Sequence, residues 1–365
     1  MYRQNMLSAI FLFLCIYIYI ASFSFSGLIT NDLFYFCLNV ARVSIVGILL
    51  LCVFVSNGIH KNTIIFFVLA AIFLSLFDSF FTAISYLIIV SLIFYTYLLT
   101  FHKEDKVKIL VWINRVSILG FLSILLLYNL GVMPNTIYDA NGDYAAGIRQ
   151  SLGFSNPNPG SLFILQSVFI SFLLKDRIAL IFSLFLFLSS SFYFVSKTSI
   201  FLGVLFFLLI IFMKNNFFNK IISISFFASL LLFPFVIIVF ISKGIWTFKG
   251  INLDLLFTTR LSEIRRLYME YGGVGFFPRS MDFFVDSALS NILIKGGWFL
   301  YILFLIWVFI FIKKEKDYKV KTTFIIFVCF CFSENIFNGN LLLSIFLFMN
   351  FYNLLSKSYG LKNIR

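Results

Sequence analysis

Arginine is the residue through which this sequence offers chemistry. Five of its ten arginines, Arg149, Arg260, Arg265, Arg266 and Arg279, fall in two polar stretches, 133–159 and 242–287, set within otherwise apolar sequence. A guanidinium stays charged at any physiological pH, and its planar fork binds phosphate or carboxylate through two parallel hydrogen bonds. Clustered arginines therefore point to an anionic ligand, and a diphosphate fits the number of cations. A solvated loop with local ion pairs to Glu263, Glu270 or Asp282 accounts for the same charges.

Other catalytic groups are scarce. The two histidines, His60 and His102, lie outside these stretches, and so do all five cysteines, Cys15, Cys37, Cys52, Cys329 and Cys331. This excludes Ser-His-Asp and Cys-His arrangements there. No HExxH, Walker A, clustered His/Cys or Asp-x-Asp pattern occurs, so no metal or cofactor is expected. Chemistry on a diphosphate would use arginine charge on the leaving group. A base would have to be a carboxylate, from Asp139, Asp143, Asp254, Glu263, Glu270, Asp282, Asp286 or Glu334.

The elements that must position these groups are membrane helices. The 365-residue chain is 61% hydrophobic and only 12% charged, against roughly 25% charged for soluble domains. Apolar runs fall near 7–25, 33–56, 62–78, 80–101, 109–132, 160–174, 178–195, 199–213, 221–241, 288–312, 322–334 and 341–355. Runs of ~20 apolar residues span bilayers as helices, which predicts about twelve spans in one all-α polytopic domain. Span 7–25 is too long for a signal core and reads as a retained span. The cysteines fall within apolar runs as small packing residues, and the 54 phenylalanines carry no functional weight.

Lysines fill one set of short loops, including 102–108, 175–177, 214–220, 313–321 and the C-terminal tail. By the positive-inside tendency these are cytoplasmic, as are both termini. The net charge of +13 then belongs to loops beside a membrane, and no nucleic-acid partner is expected. The two arginine-bearing stretches face outward and run against that tendency.

Within the first outer loop, Asn156-Pro157-Asn158-Pro159-Gly160 starts the sixth span, since Asn caps and Pro suits a first turn. A helix N-terminus there would offer free amides to an anion beside Arg149. In the second loop, Leu261, Ile264, Tyr268 and Tyr271 share one helical face and Glu263, Arg266 and Glu270 another, with Arg265 on a separate edge. This predicts an amphipathic helix at the membrane surface, capped by Thr258 or Thr259. The following "YGGVGFF" is a weak phosphate-loop signal and reads as a flexible turn. Arg42 lies inside a span, where an ionisable residue is either functional or snorkelling outward. Arg115 snorkels toward the cytoplasm, and Asp78 and Glu334 stand near outer ends.

Four stretches resemble the Wzy-type oligosaccharide repeat-unit polymerases of the O-antigen polymerase and ligase superfamily. They are "RQSLGFSNPNPG", with Arg149 and Gly160 in an R-x10-G pattern, "TTRLSEIRRLYMEY", "VDSALSNILIKGGWFLYILFL" and "FSENIFNGNLLLSIFLFM". The sequence departs from the family at Asn156, where His is frequent, and at Gly272, one residue late for R-x10-G from Arg260. Ligase relatives carry a histidine near the end of the second loop. Asp286 stands there instead, which favours polymerase over ligase.

The resemblance implies a GT-C-like, metal-independent glycosyltransferase of the bacterial inner membrane, active at the periplasmic face. It would move a growing glycan from undecaprenyl diphosphate onto another lipid-linked repeat unit, alongside a chain-length regulator. It implies that Arg149, Arg260, Arg265 and Arg266 stabilise the leaving diphosphate and that Asp286 or Glu263 serves as base or orients the acceptor. Asn156, Asn158, Gly160, Arg279, Glu334 and Arg42 would bind substrate. A ligase of the same superfamily and a lipid-linked oligosaccharide flippase are the alternatives. The flippase is disfavoured because ionisable residues within the spans are few.

Overall fold

The computed structural model describes residues 2–56, 61–77, 79–139, 148–244, 247–248, 251–252, 260–280, 286–334, 336–337 and 339–358. The chain is all-α and polytopic. Its helices are α1 (Tyr2–Ser22), α2 (Asp32–Ser56), α3 (Lys61–Ser75), α4 (Ser79–Leu99), α5 (Lys103–Asn129), α6 (Pro157–Leu174), α7 (Arg177–Phe194), α8 (Lys197–Met213), α9 (Asn216–Lys243), α10 (Arg260–Glu270), α11 (Ala288–Ile294), α12 (Gly297–Lys314), α13 (Tyr318–Phe330) and α14 (Leu342–Ser358). Among the described residues, eight helices are long and apolar enough to cross a membrane: α1, α2, α4, α5, α6, α7, α9 and α12. Four further helices, α3, α8, α13 and α14, occupy runs expected to span but are shorter, at 13 to 17 residues.

Helix α6 is the hub. It is buried from Gly160 to Ser171, as expected of a helix apolar on all sides. Its few polar groups serve packing. Ser171 Oγ meets Asn114 Nδ2 of α5 at 2.8 Å, and Gln166 Oε1 accepts from the Leu343 amide at 3.0 Å, satisfying a first-turn donor of α14.

Two sequence expectations are revised. The run 288–312 is not one span: α11 ends at Ile294, and α12 begins at Gly297, with φ of +68°. A Cβ at Gly297 would lie 2.6 Å from Gly275 O, so only glycine fits this joint. The first arginine-bearing loop, expected over 133–159, gives its last residues to α6, which opens at Pro157 with Asn156 as its cap, as the Asn-Pro run predicted. It contains an unexpected antiparallel pair, β1 (Ile137–Asp139) and β2 (Ile148–Gln150), with Tyr138 opposite Arg149. A second small pair, β3 (Thr247–Phe248) and β4 (Ile251–Asn252), lies in the second arginine-bearing loop.

The turns sort into two ends. Gly27 N donates to Gly153 O (2.8 Å), Ser155 N to Phe25 O (2.8 Å) and Ala288 N to Glu334 O (3.3 Å), and Arg149 reaches Phe194 O. These bonds bring both arginine-bearing loops and the 331–341 turn to one end. At the other end Arg115 pairs with Asp176, and Lys321 Nζ meets Asn219 Oδ1 at 3.3 Å. Arg115 therefore does more than snorkel: Nε and Nη2 reach the two Asp176 oxygens at 3.0 and 3.2 Å.

Candidate functional site

The site begins with the backbone that aims Arg149. Strand β2 carries Arg149. Next, Leu152 and Gly153 both adopt positive φ, +48° and +86°, reversing the chain. Asn135 Oδ1 accepts from Leu152 N at 3.2 Å and holds that bend. Phe154 then inserts into the core, fully buried against Phe121, Phe163 and Phe194. Asn156 ends the turn as N-cap of α6, its Oδ1 accepting from Asn158 N at 2.9 Å.

This frame sets a polar chain. Arg149 donates from Nε to Phe194 O at 3.2 Å and from Nη2 to Asn158 Oδ1 at 2.5 Å. Asn158 Nδ2 donates to Glu334 Oε1 at 3.2 Å. One amide thus links a guanidinium from the first arginine-bearing loop to a carboxylate from the late turn, which lies 176 positions from that amide in sequence. Glu334 is placed in turn by α11, since its carbonyl accepts from Ala288 N and Ser287 Oγ donates to Cys331 O at 3.2 Å. Asp286, exposed, directly precedes Ser287 on this rim.

One expectation fails here. The α6 N-terminus presents no free amide to an anion in its first turn. Pro157 and Pro159 have no N–H, Asn158 N is taken by Asn156 Oδ1, and Gly160 N by Asn156 O at 3.3 Å. Gly160, expected to bind substrate, has a packing role. It is buried, and a Cβ there would lie 2.9 Å from Phe194 Cζ and 3.0 Å from Phe154 Cγ. Its role is to let α6 approach those rings.

The second-loop arginines form a separate group. Helix α10 buries Leu261, Ile264 and Leu267, the last missed by the sequence reading, and Ile264 and Leu267 pack with Ile241 of α9 and Ile294 of α11. Its apolar face is thus covered by protein, a correction to a helix resting on the membrane surface. Arg266 and Glu270 are exposed on the opposite face, with Glu263 half-buried. The Arg265 guanidinium lies against Gly244, the α9 C-cap, where a Cβ would sit 2.6 Å from Nη1. The Arg260 and Asp139 side chains, and Asp78, Asp143, Asp254, Asp282, Thr258 and Thr259, lie outside the described residues.

Arg279 is also absorbed by structure. Its Nη1 donates to Tyr271 O at 2.8 Å, and its amide to Lys295 O at 2.8 Å. Trp298 N and Phe299 N donate to Gly275 O and Phe276 O at 3.0 and 2.9 Å, so "YGGVGFF" is a docked strap rather than a flexible turn. The two arginine groups are joined by α11, one end against Glu334 and the other against α10. Its seven residues make it about 10 Å long at 1.5 Å per residue.

Lys295, only 1% exposed at the α11–α12 joint, was overlooked. The double glycine following it, inside an apparently continuous span, was the available signal. An apolar cavity of about 400 Å³ between α4, α12 and α14, lined by Phe81, Ile84, Phe304, Trp307 and Phe348 among others, brings no charged group. Among the described residues no His, Cys, Asp or Glu cluster could hold a metal.

No family model, no curated protein and no solved structure matches the chain.

Proposed function

We propose that the chain is a polymerase of lipid-linked oligosaccharide repeat units, of the Wzy type and GT-C-like in build, acting at the outer face of a bacterial inner membrane. One observation carries this reading: the Arg149–Asn158–Glu334 chain, which joins the first outer loop to the late turn at the bundle end shared by the second outer loop. An acceptor hydroxyl oxygen attacks the anomeric carbon of the donor glycan. The bond from that carbon to the diphosphate oxygen breaks, and the diphosphate leaves with the electron pair. In this reading Arg149 stabilises that charge. Glu334, ahead of Asp286 or Glu263, takes the hydroxyl proton, because it is the carboxylate tied to Arg149. Arg265 and Arg266, across α11, add positive charge for the same diphosphate in this reading. Undecaprenyl diphosphate is the proposed lipid, with a chain-length regulator as partner.

The test is a gel of surface glycan from a strain lacking the gene, complemented with wild type or Arg149→Ala. A single repeat unit on the acceptor in the null strain, a ladder with wild type and a short product with Arg149→Ala support the proposal. Long chains with Arg149→Ala remove Arg149 from the mechanism. A bare acceptor with polymer left on the lipid carrier indicates a ligase, and one with unpolymerised units trapped inside indicates a flippase.

A further inference from the structure

Arg42 lies on α2, eleventh in the Asp32–Cys52 membrane segment. Its side chain reaches toward the loop end of α1, where Nη1 donates to Ser24 Oγ at 3.0 Å and to Asn39 Oδ1 at 3.2 Å. The guanidinium lies over the Tyr86 ring of α4, 5.1 Å from its centroid. Its Nε and the Tyr86 hydroxyl are both buried without a hydrogen-bond partner.

The partners of Arg42 are an alcohol, an amide and a ring, none of which cancels its charge. Neither the Lys108–Asp105 nor the Arg115–Asp176 ion pair involves Arg42, and its own hydrogen bonds go to neutral groups. This distinguishes it from Arg149 and Arg279, whose bonds include backbone carbonyls near helix ends. A cation with its full charge, half-buried in a membrane helix, is costly unless an anion joins it. Arg42 itself is only half-buried within a membrane segment, so the anion that can reach it there is the head group of a lipid.

The pocket also touches the late turn. Tyr17 is fully buried and donates to Gly339 O at 2.7 Å, and a Cβ at Gly339 would lie 2.7 Å from Tyr86 Cδ1. Glu334 is five positions earlier on the same turn. The turn thus contacts the Arg149 chain through Glu334 and the ring under Arg42 through Gly339.

We propose that Arg42, framed by Ser24, Asn39 and Tyr86, is a second anion site that takes the phosphate of a membrane lipid and is separate from Arg149. The phosphate could belong to a polyprenyl diphosphate or to a phospholipid. Its meaning as a substrate site rests on the polymerase reading, because joining two lipid-linked units requires two lipid phosphates to be held at once.

The experiment uses the full chain, purified and delipidated in detergent, with native mass spectrometry counting bound polyprenyl diphosphate and, separately, phosphatidylglycerol. Wild type is expected to bind two polyprenyl diphosphates. Arg42→Gln is expected to lose one, its affinity falling about tenfold or more, the scale of a lost charge-assisted contact. Loss of phosphatidylglycerol alone assigns the site to a phospholipid head group. Unchanged binding of both probes in Arg42→Gln overturns the proposal. If that variant does not fold, Arg42→Lys keeps the charge but loses the fork: several-fold weaker binding supports the site, and wild-type affinity overturns it. Arg149→Ala separates the two readings. One lipid lost there and none in Arg42→Gln sinks the second site alone, while the reverse sinks the role of Arg149 alone.

Discussion

At the scale of residues, the first-loop motif divides into groups that shape and groups that act. Gly153 supplies a left-handed bend, Phe154 an anchor and Gly160 a gap, while Arg149 and Asn158 carry the polar chain. Gly160→Ala should lower stability by roughly 1–3 kcal/mol, the range for overpacking a core. It should appear as a lower melting temperature of the purified protein; a shift within error would show that Phe194 yields. Asn158→Ala removes the bridge between Arg149 and Glu334 while leaving both charges. Polymer yield should fall at least ~tenfold at equal protein level in the membrane, and a full-length ladder would disconnect the bridge from catalysis.

At the scale of elements, much of the arginine excess in the two loops has a structural explanation that composition could not supply. Arg149 donates to the last carbonyl of α7, Arg265 lies against the C-cap of α9, and Arg279 donates to Tyr271 O just past α10. Helix C-termini bear partial negative charge and unsatisfied carbonyls, so cations settle there. Asp176 is the mirror case at the opposite end, capping α7 through Ala179 N at 3.3 Å while pairing with Arg115. Its burial favours the neutral acid, but the bonds from Arg115 and from the Ala179 and Ile178 amides outweigh that and hold its pKa below the usual 3.8. A depressed acid stabilises the fold above its unfolded pKa, and the gain is lost as pH falls through the lower folded value. Melting temperature should therefore drop below about pH 4 in wild type. Asp176→Ala should cost roughly 1–2 kcal/mol near neutrality and fall less steeply with acid; parallel curves would exclude Asp176 as the titrating group. The α11–α12 joint offers a further test. Gly297→Ala places a Cβ 2.6 and 2.7 Å from the Gly275 and Phe276 carbonyls at positive φ. It should detach the strap, read as new protease cleavage between 271 and 280.

At the scale of the molecule, the bundle has two chemically distinct ends, and the functional proposal depends on which faces outward. Val132, beyond α5, is exposed at the arginine-rich end, and Asn215, the cap of α9, is exposed at the lysine-rich end. In a chain with its native cysteines replaced, an impermeant thiol reagent added to intact cells should label Val132→Cys and spare Asn215→Cys. The reverse pattern would turn the arginine loops inward and remove the periplasmic site.

Composition alone determined the class of this protein, because 12% charge cannot clothe a water-facing surface and apolar runs of helical length have one stable form in a bilayer. Proline and asparagine chemistry likewise fixed the start of α6, a matter of backbone donors within four residues. Only the tertiary structure decided which polar residues meet. Asn158 and Glu334 are 176 positions apart, and no periodicity encodes a contact at that distance. The break at Gly296-Gly297, the burial of Lys295 and the docking of α10 on Ile241 and Ile294 were equally hidden. An apolar residue facing lipid and one facing a neighbouring helix look alike in sequence, and only packing distinguishes them.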